Sequence, residues 1–166
     1  ALIAIPYSYK ASKSYIDTNI IGVHNILEAA KINKTKKIIM TSTSEIYGTA
    51  KYVPIDESHP INSQSPYAAT KASADQLAIS YYRSFNLPVT ILRPFNTFGP
   101  RQSMRAVIPT IIGQVINNNE VNIGNIKPTR DFTFVTDIAE AFVRTLSAKK
   151  ISGEIINVGS NFEVSI

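Results

Sequence analysis

Tyr67 and Lys71 stand four residues apart, a spacing that places both side chains on one face of a helix. A free tyrosine titrates near ~10, too high for a general base at neutral pH. A lysine ammonium one turn away and the positive end of a helix both favour the phenolate. Such a pair can take a proton from a hydroxyl while a hydride leaves the same carbon. Taken alone, the spacing fits a solvent-facing pair on an ordinary helix better. A second run, Thr41-Ser42-Thr43-Ser44-Glu45-Ile46-Tyr47-Gly48, offers hydroxyls that can orient a substrate hydroxyl and a carboxylate, Glu45, that can move a carbon-bound proton. A Ser/Thr-rich turn with a solvated Glu45 describes it equally well. In a third run, Arg93-Pro94-Phe95-Asn96-Thr97-Phe98-Gly99-Pro100-Arg101, Pro94 and Phe95 can form an apolar wall. Asn96 and Arg101 can meet a diphosphate, for which a bidentate guanidinium is well shaped. By itself this run reads more simply as a turn with a surface arginine.

These residues need elements to hold them. Apolar residues Ile16, Ile20, Val23, Leu27 and Ala30 recur at helical spacing and predict a helix over 15–32, with Asp17 near its start and Lys31, Lys34 and Lys36 near or past its end. Lys37-Ile38-Ile39-Met40 reads as a buried strand running into the hydroxyl-rich run, so that run lies beyond the carboxyl end of a strand, where open α/β sheets bind ligands. A loop containing Pro54 and Pro60 follows. Ser65 can cap a helix with Pro66 in its first position, running to about Phe85. Residues 88–93 read as a second strand, 94–103 as a loop and 106–117 as a helix with Pro109 in its first turn. A strand over 132–135, a capped helix over 137–148 and a strand over 154–158 complete the pattern. Strand, helix, strand in this order predicts an α/β fold with a parallel sheet covered on both faces.

The chain has 166 residues, 44% of them hydrophobic and 17% charged, enough for a globular core. It has no cysteine, which excludes disulfides and thiolate metal sites and favours a cytoplasmic setting. His24 and His59 have no ligand-like spacing, so no zinc is expected and both read as structural. The net charge of +5 suits an anionic small ligand, but the basic residues are scattered rather than striped, against nucleic acid as a partner. No run is apolar enough for a membrane span, and no signal peptide is apparent. The start without methionine and the strand-like end at Ile166 both read as cut.

The hydroxyl-rich strand end, Tyr-x-x-x-Lys and Arg-Pro-x-Asn-x-x-Gly-Pro, in this order, resemble the extended short-chain dehydrogenase/reductase family. Thr43-Ser44-Glu45 resembles the corresponding triplet of the nucleotide-sugar 4,6-dehydratases within it. Ala1-Leu2-Ile3-Ala4-Ile5-Pro6-Tyr7-Ser8-Tyr9 and Arg105-Ala106-Val107-Ile108-Pro109-Thr110 look most like the UDP-N-acetylglucosamine 4,6-dehydratases of the legionaminic-acid route. The resemblance covers essentially the whole chain. It implies a partial Rossmann-like, doubly wound parallel sheet over residues 1–103, with residues 104–166 forming part of a smaller substrate region and returning elements to the sheet. It implies NAD as cofactor, held by Ser42, Tyr67, Lys71 and Pro94, and a nucleotide-sugar substrate held by Asn96, Arg101 and Arg130. Tyr67 would be the base at the C4 hydroxyl, Lys71 would bind the nicotinamide ribose, Thr43 would hold the C4 oxygen and Glu45 would remove the C5 proton. Ser44 stands where the dTDP-glucose enzymes have an acid for the departing C6 hydroxyl, which leaves the identity of that acid open. Asn19 matches a family asparagine of structural role. A homodimer is implied at full length.

The family's Gly-x-x-Gly-x-x-Gly loop, which cradles the cofactor pyrophosphate, has no counterpart among the seven dispersed glycines. The chain is therefore expected to begin after the first βα units and, alone, to bind NAD poorly and have little activity. UDP-glucuronate decarboxylases share Ser-Thr-Ser-Glu and form the nearest alternative. A 4-epimerase would leave Glu45 little to do, and a non-catalytic dinucleotide sensor would have no need of Tyr67.

Overall fold

The structure, a computed structural model, describes residues 1–118 and 120–166. Two short helices, α1 (Ile5–Ser8) and α2 (Ser12–Tyr15), lead into a π-helical stretch (Ile16–Ile21) and then α3 (Gly22–Ile32). Strand β1 (Ile38–Thr41) ends in a 3₁₀ turn (Ser44–Tyr47), and α4 (Pro66–Phe85) crosses to β2 (Val89–Pro94). There follow β3 (Asn96–Phe98), α5 (Val107–Asn118), β4 (Thr129–Phe134), α6 (Val135–Ser147), β5 (Ile155–Val158) and β6 (Glu163–Ser165).

Strands β1, β2 and β5 form one parallel sheet in that order. The register pairs Thr41 with Leu92 and Pro94 with Val158, so the carboxyl ends of the three strands share one edge. A second sheet has β4 between β3, parallel to it, and β6, antiparallel. The expected α/β architecture with a parallel sheet is present. Its core joins Leu27 and Ala30 of α3, Ala78, Ile79 and Tyr81 of α4, and Val89 and Ile91 of β2. Val89 and Ile91 are two apart and so face the same side of their strand. Strand β2 is buried along its whole length, as an inner parallel strand must be. Helix α6 packs on β1, and Lys37, just before that strand, donates from its ammonium to the carbonyls of Thr145, Leu146 and Ala148 at the end of α6.

Four expectations change. The helix expected over 15–32 starts at Ser12 and contains the π-helical stretch. Its wider turn brings Tyr15 and Asn19, rather than Ile16, into the interior, and Ile16 is exposed. The segment expected as a loop after Pro94 includes β3, whose ladder depends on β4, more than thirty residues later. The strand expected over 132–135 begins at Thr129, where pairing with β6 extends it. The helix expected over 137–148 starts at Val135 without a side-chain cap, because β4 runs straight into it. Asp137 lies in its first turn, where its charge suits the helix dipole.

Candidate active site

Helix α4 starts as the sequence demands. Ser65 accepts a hydrogen bond from the Ala68 N–H (3.1 Å), and Pro66 occupies the first turn. This fixes the phase of the helix. Tyr67, Thr70, Lys71, Ala74, Asp75 and Ala78 then lie on its buried face, and Lys71 and Asp75 reach the carboxyl end of β1. Chemistry-bearing side chains can sit this deep because alanines around them let the helix approach the sheet closely.

The Lys71 ammonium donates to the carbonyl of Thr41, the last residue of β1. Burial lowers its pKa, and the Asp75 carboxylate opposes the effect. Tyr67 is buried and packs edge-on to Tyr15, ring centres 6.3 Å apart. Its pKa shift corrects the sequence-based expectation. Burial raises the phenol above its ordinary value, a hydrogen bond from Thr43 lowers it, and the charge of Glu45 raises it. The Lys71 ammonium is directed to the strand carbonyl. Thr43 is buried and caps the 3₁₀ turn, accepting the Glu45 N–H at 3.2 Å. Glu45 and Ser44 are half-buried in that turn. Ser42, Thr43, Glu45, Tyr67 and Lys71 thus gather at one strand end, with Pro94 buried at the same edge of the sheet.

Asn96 follows β2 by two residues, and Arg101 and Arg130 lie further along the chain. Among the described residues no hydrogen bond or ion pair links them to the group at the strand end. Asn96 lines a cavity of about 180 Å³ with Phe98, Gln102 and Phe132. That is smaller than the roughly 300–1,000 Å³ typical of ligand pockets, so the cavity is not a complete site. Arg101 is exposed with a left-handed backbone (φ 67°), and Arg130 is exposed with one guanidinium N–H donated to the Thr129 carbonyl at 2.7 Å. Asn19 has a structural task. Its amide both accepts from and donates to the backbone of Leu2 and donates to Thr70, pinning the first residues onto α4. His59 is buried between Tyr47 and Tyr52 and accepts from the Lys51 N–H, whereas His24 is exposed beside the Tyr81 hydroxyl.

The structure also reveals a polar network that the sequence reading did not single out. Ser42 (2.8 Å) and the Arg93 Nε (3.0 Å) both donate to one oxygen of Asp75. Arg93 further donates to the Tyr47 hydroxyl, which donates to Asn157, whose backbone N–H meets Glu57. Arg93, Asp75 and Tyr47 are almost wholly buried. The available signal was a carboxylate at Asp75 in phase with Tyr67 and Lys71 on an alanine-rich face.

The arrangement suits proton transfer at a hydroxyl and at an adjacent carbon. The family model described as GDP-mannose 4,6 dehydratase matches residues 1–166. A dTDP-D-glucose 4,6-dehydratase from Dictyostelium discoideum is 38% identical, covering 95% of this chain and 39% of its own length. A UDP-N-acetyl-alpha-D-glucosaminuronate decarboxylase from Bacillus cytotoxicus is 37% identical, covering 100% of this chain and 54% of its own. Among solved structures, a UDP-glucuronic acid 4-epimerase from Bacillus cereus, in complex with UDP-glucuronic acid and NAD, superposes with a TM-score of 0.85 at 37% identity, covering 91% of this chain and 48% of that one. The chain thus spans roughly half the length of the proteins it matches.

Proposed function

The chain belongs to the GDP-mannose 4,6-dehydratase family, and we propose that it carries the catalytic residues of an NAD-dependent nucleotide-sugar 4,6-dehydratase. The observation that carries the reading is the gathering of Thr43, Glu45 and Tyr67 at one strand end, where the turn after β1 meets α4. An epimerase needs the tyrosine but would leave Glu45 little to do, whereas an elimination gives that carboxylate a task.

The residues at hand fit the nicotinamide end of NAD. Lys71 uses one N–H on the Thr41 carbonyl and retains two for a ribose diol, beside Ser42 and Pro94. The sequence has no glycine-rich pyrophosphate cradle, so chain beyond these residues would supply it. Bound NAD would accept a hydride from C4 and return it at C6, leaving loss of water as the net change. Tyr67 takes the proton of the C4 hydroxyl, and Thr43 hydrogen-bonds the C4 oxygen. The 4-ketone acidifies the C5 proton, which Glu45 removes. Ser44 is a poor acid, so Glu45, now protonated, delivers that proton to the departing C6 hydroxyl and, reprotonated from solvent, would return a proton to C5 as C6 is reduced. Asn96, Arg101 and Arg130 would bind the nucleotide diphosphate, with residues 104–166 contributing to the substrate region. UDP-N-acetylglucosamine is the substrate we favour, on the resemblance of the two flanking stretches. The same reading places the full-length protein in the cytoplasm as a homodimer; among the described residues no helix is long and apolar enough to cross a membrane.

A second reading, decarboxylation of a UDP-hexuronate, is favoured by the decarboxylase relative. One experiment separates them. The full-length protein is incubated with UDP-, dTDP- and GDP-sugars in heavy water without added NAD, and products are followed by mass spectrometry. Loss of one water with deuterium gained at C5 is expected. Loss of carbon dioxide from a UDP-hexuronate would replace the reading by the second, and no turnover even with NAD would leave a non-catalytic sensor. Residues 1–166 alone are expected to bind NAD poorly, and tight binding in a titration would refute that.

A further inference from the structure

Glu45 sits in the 3₁₀ turn after β1, and among the described residues no hydrogen bond holds its carboxylate. Its place is therefore set by the backbone of the turn. Thr43 Oγ1 accepts the Glu45 N–H at 3.2 Å, and the Gly48 N–H donates to the Glu45 carbonyl at 3.3 Å. These bonds shape the turn but do not fix it to the sheet. The Tyr47 side chain does. It has no exposed surface, and among the described residues it is the one side chain of the turn that hydrogen-bonds to a strand. Its hydroxyl donates to Asn157 Oδ1 at 2.8 Å and accepts from an Arg93 guanidinium N–H at 2.8 Å. Arg93 in β2 and Asn157 in β5 are register partners in a parallel pair, so their side chains leave the same face of the sheet and one hydroxyl can meet both. The ring lies 5.2 Å from the Arg93 guanidinium and edge-on to His59, ring centres 5.4 Å apart. Tyr47 thus reaches from the turn after β1 to the ends of β2 and β5. Its only O–H is committed to Asn157, so it has no proton free for a substrate.

We propose that Tyr47 is a positioning residue: its hydroxyl, shared between Arg93 and Asn157, clamps the turn after β1 to the neighbouring strands and so holds the Glu45 carboxylate where it meets the C5 proton. This rests on the dehydratase reading, in which Glu45 moves that proton. Tyr67 and Lys71 are mounted differently. They are carried by α4, which Ser65 caps and which Lys71 and Asp75 tie to the β1 end. Thr43 precedes the turn and is itself buried. Hydride removal at C4 and elimination across C5 and C6 therefore depend on separate elements. Loosening the turn slows the second step and spares the first.

The test uses the full-length holoenzyme in single turnover, in heavy water, with the nucleotide sugar that the wild type dehydrates. Tyr47→Phe keeps the ring and removes the hydroxyl. NADH formation, read by absorbance, should stay within about twofold of wild type, while water loss and deuterium uptake at C5 fall by about 10–10²-fold, the effect of a misplacement near 1 Å. NADH should therefore accumulate before product appears. A merely structural role would lower both steps by the same factor, which would overturn the proposal, as would a variant that matches wild type in both. Asn157→Ala removes the acceptor from the β5 side and should give the same split; it decides the matter if Tyr47→Phe does not fold. Hydrogen exchange at the amides of residues 43–48 should quicken about 2–10-fold in either variant, the equivalent of one lost hydrogen bond, with α4 unchanged. Unchanged exchange in the turn would overturn the clamp. Wild-type protein that dehydrates no nucleotide sugar would refute the dehydratase reading alone, since the exchange still decides whether Tyr47 holds the turn.

Discussion

Replacing Arg93 by methionine keeps much of its volume but removes the ion-pair partner of the buried Asp75. The guanidinium is about 1% exposed and makes two hydrogen bonds, to Asp75 at 3.0 Å and to the Tyr47 hydroxyl at 2.8 Å. It also lies over the Tyr47 ring, 5.2 Å from its centre. Breaking such a pair from one side costs roughly 3–5 kcal/mol, because the remaining charge is buried without its counter-ion. The double variant Asp75→Leu/Arg93→Met removes both charges. Tyr47 still donates to Asn157, but Ser42 loses its acceptor, a loss of roughly 1–3 kcal/mol for a buried hydroxyl. The apolar replacement offsets part of this, so the double variant should lie within about 2 kcal/mol of wild type. Urea unfolding of the full-length protein and its variants, read as a double-mutant cycle, gives the comparison. An Arg93→Met cost below about 1 kcal/mol, or a double variant as unstable as the sum of its singles, would show that the pair is more hydrated than its geometry states.

Tyr67→Phe should leave the fold intact and lower single-turnover hydride transfer by about 10²–10⁴-fold, the usual contribution of a positioned base. It should also change alkaline stability. A tyrosine whose folded pKa is raised above 10.0 stabilises the fold at lower pH and loses that contribution as pH rises through the folded value, so the variant should unfold less readily than wild type above pH 10.0 relative to neutral pH. Gly48→Ala places a Cβ 2.2 Å from the Asn62 carbonyl oxygen at φ 65°; it should cost more than the roughly 1–3 kcal/mol of backbone strain alone and disturb the turn that carries Glu45, seen as a lower melting temperature with a lower rate. Ser65→Ala should cost about 1 kcal/mol through loss of the α4 cap, and Ser65→Asp should restore it in thermal melts.

The catalytic pair was legible because local signals all agreed on the phase of α4. Ser65 and Pro66 set the start, and four-residue spacing sets which side chains share the buried face. Strand β1 was legible because its residues are apolar up to the hydroxyl-rich run, although it lies at the edge of its sheet and is half-buried rather than buried as expected. What escaped depended on distant partners. Strand β3 is three residues long and exists through its ladder with β4, so no periodicity within it could announce it. The π-helical stretch shifts the buried face from Ile16 to Tyr15, and a test for helical period assumes the regular turn.

The Tyr67 shift shows why site chemistry is harder to read than site membership. The i,i+4 lysine and the helix N-terminus predict a lowered pKa, and both features are present. The same spacing that brings Tyr67 and Lys71 together also drives them into the interior, where water is lost to both. Desolvation then raises the phenol and lowers the ammonium, and the ammonium is held by the Thr41 carbonyl. A sequence pattern carries the sign of a neighbouring charge but not the depth at which it sits. That depth is set by Ala74 and Ala78, whose small side chains let α4 settle onto the sheet, and by the Asp75–Arg93 pair that holds it there.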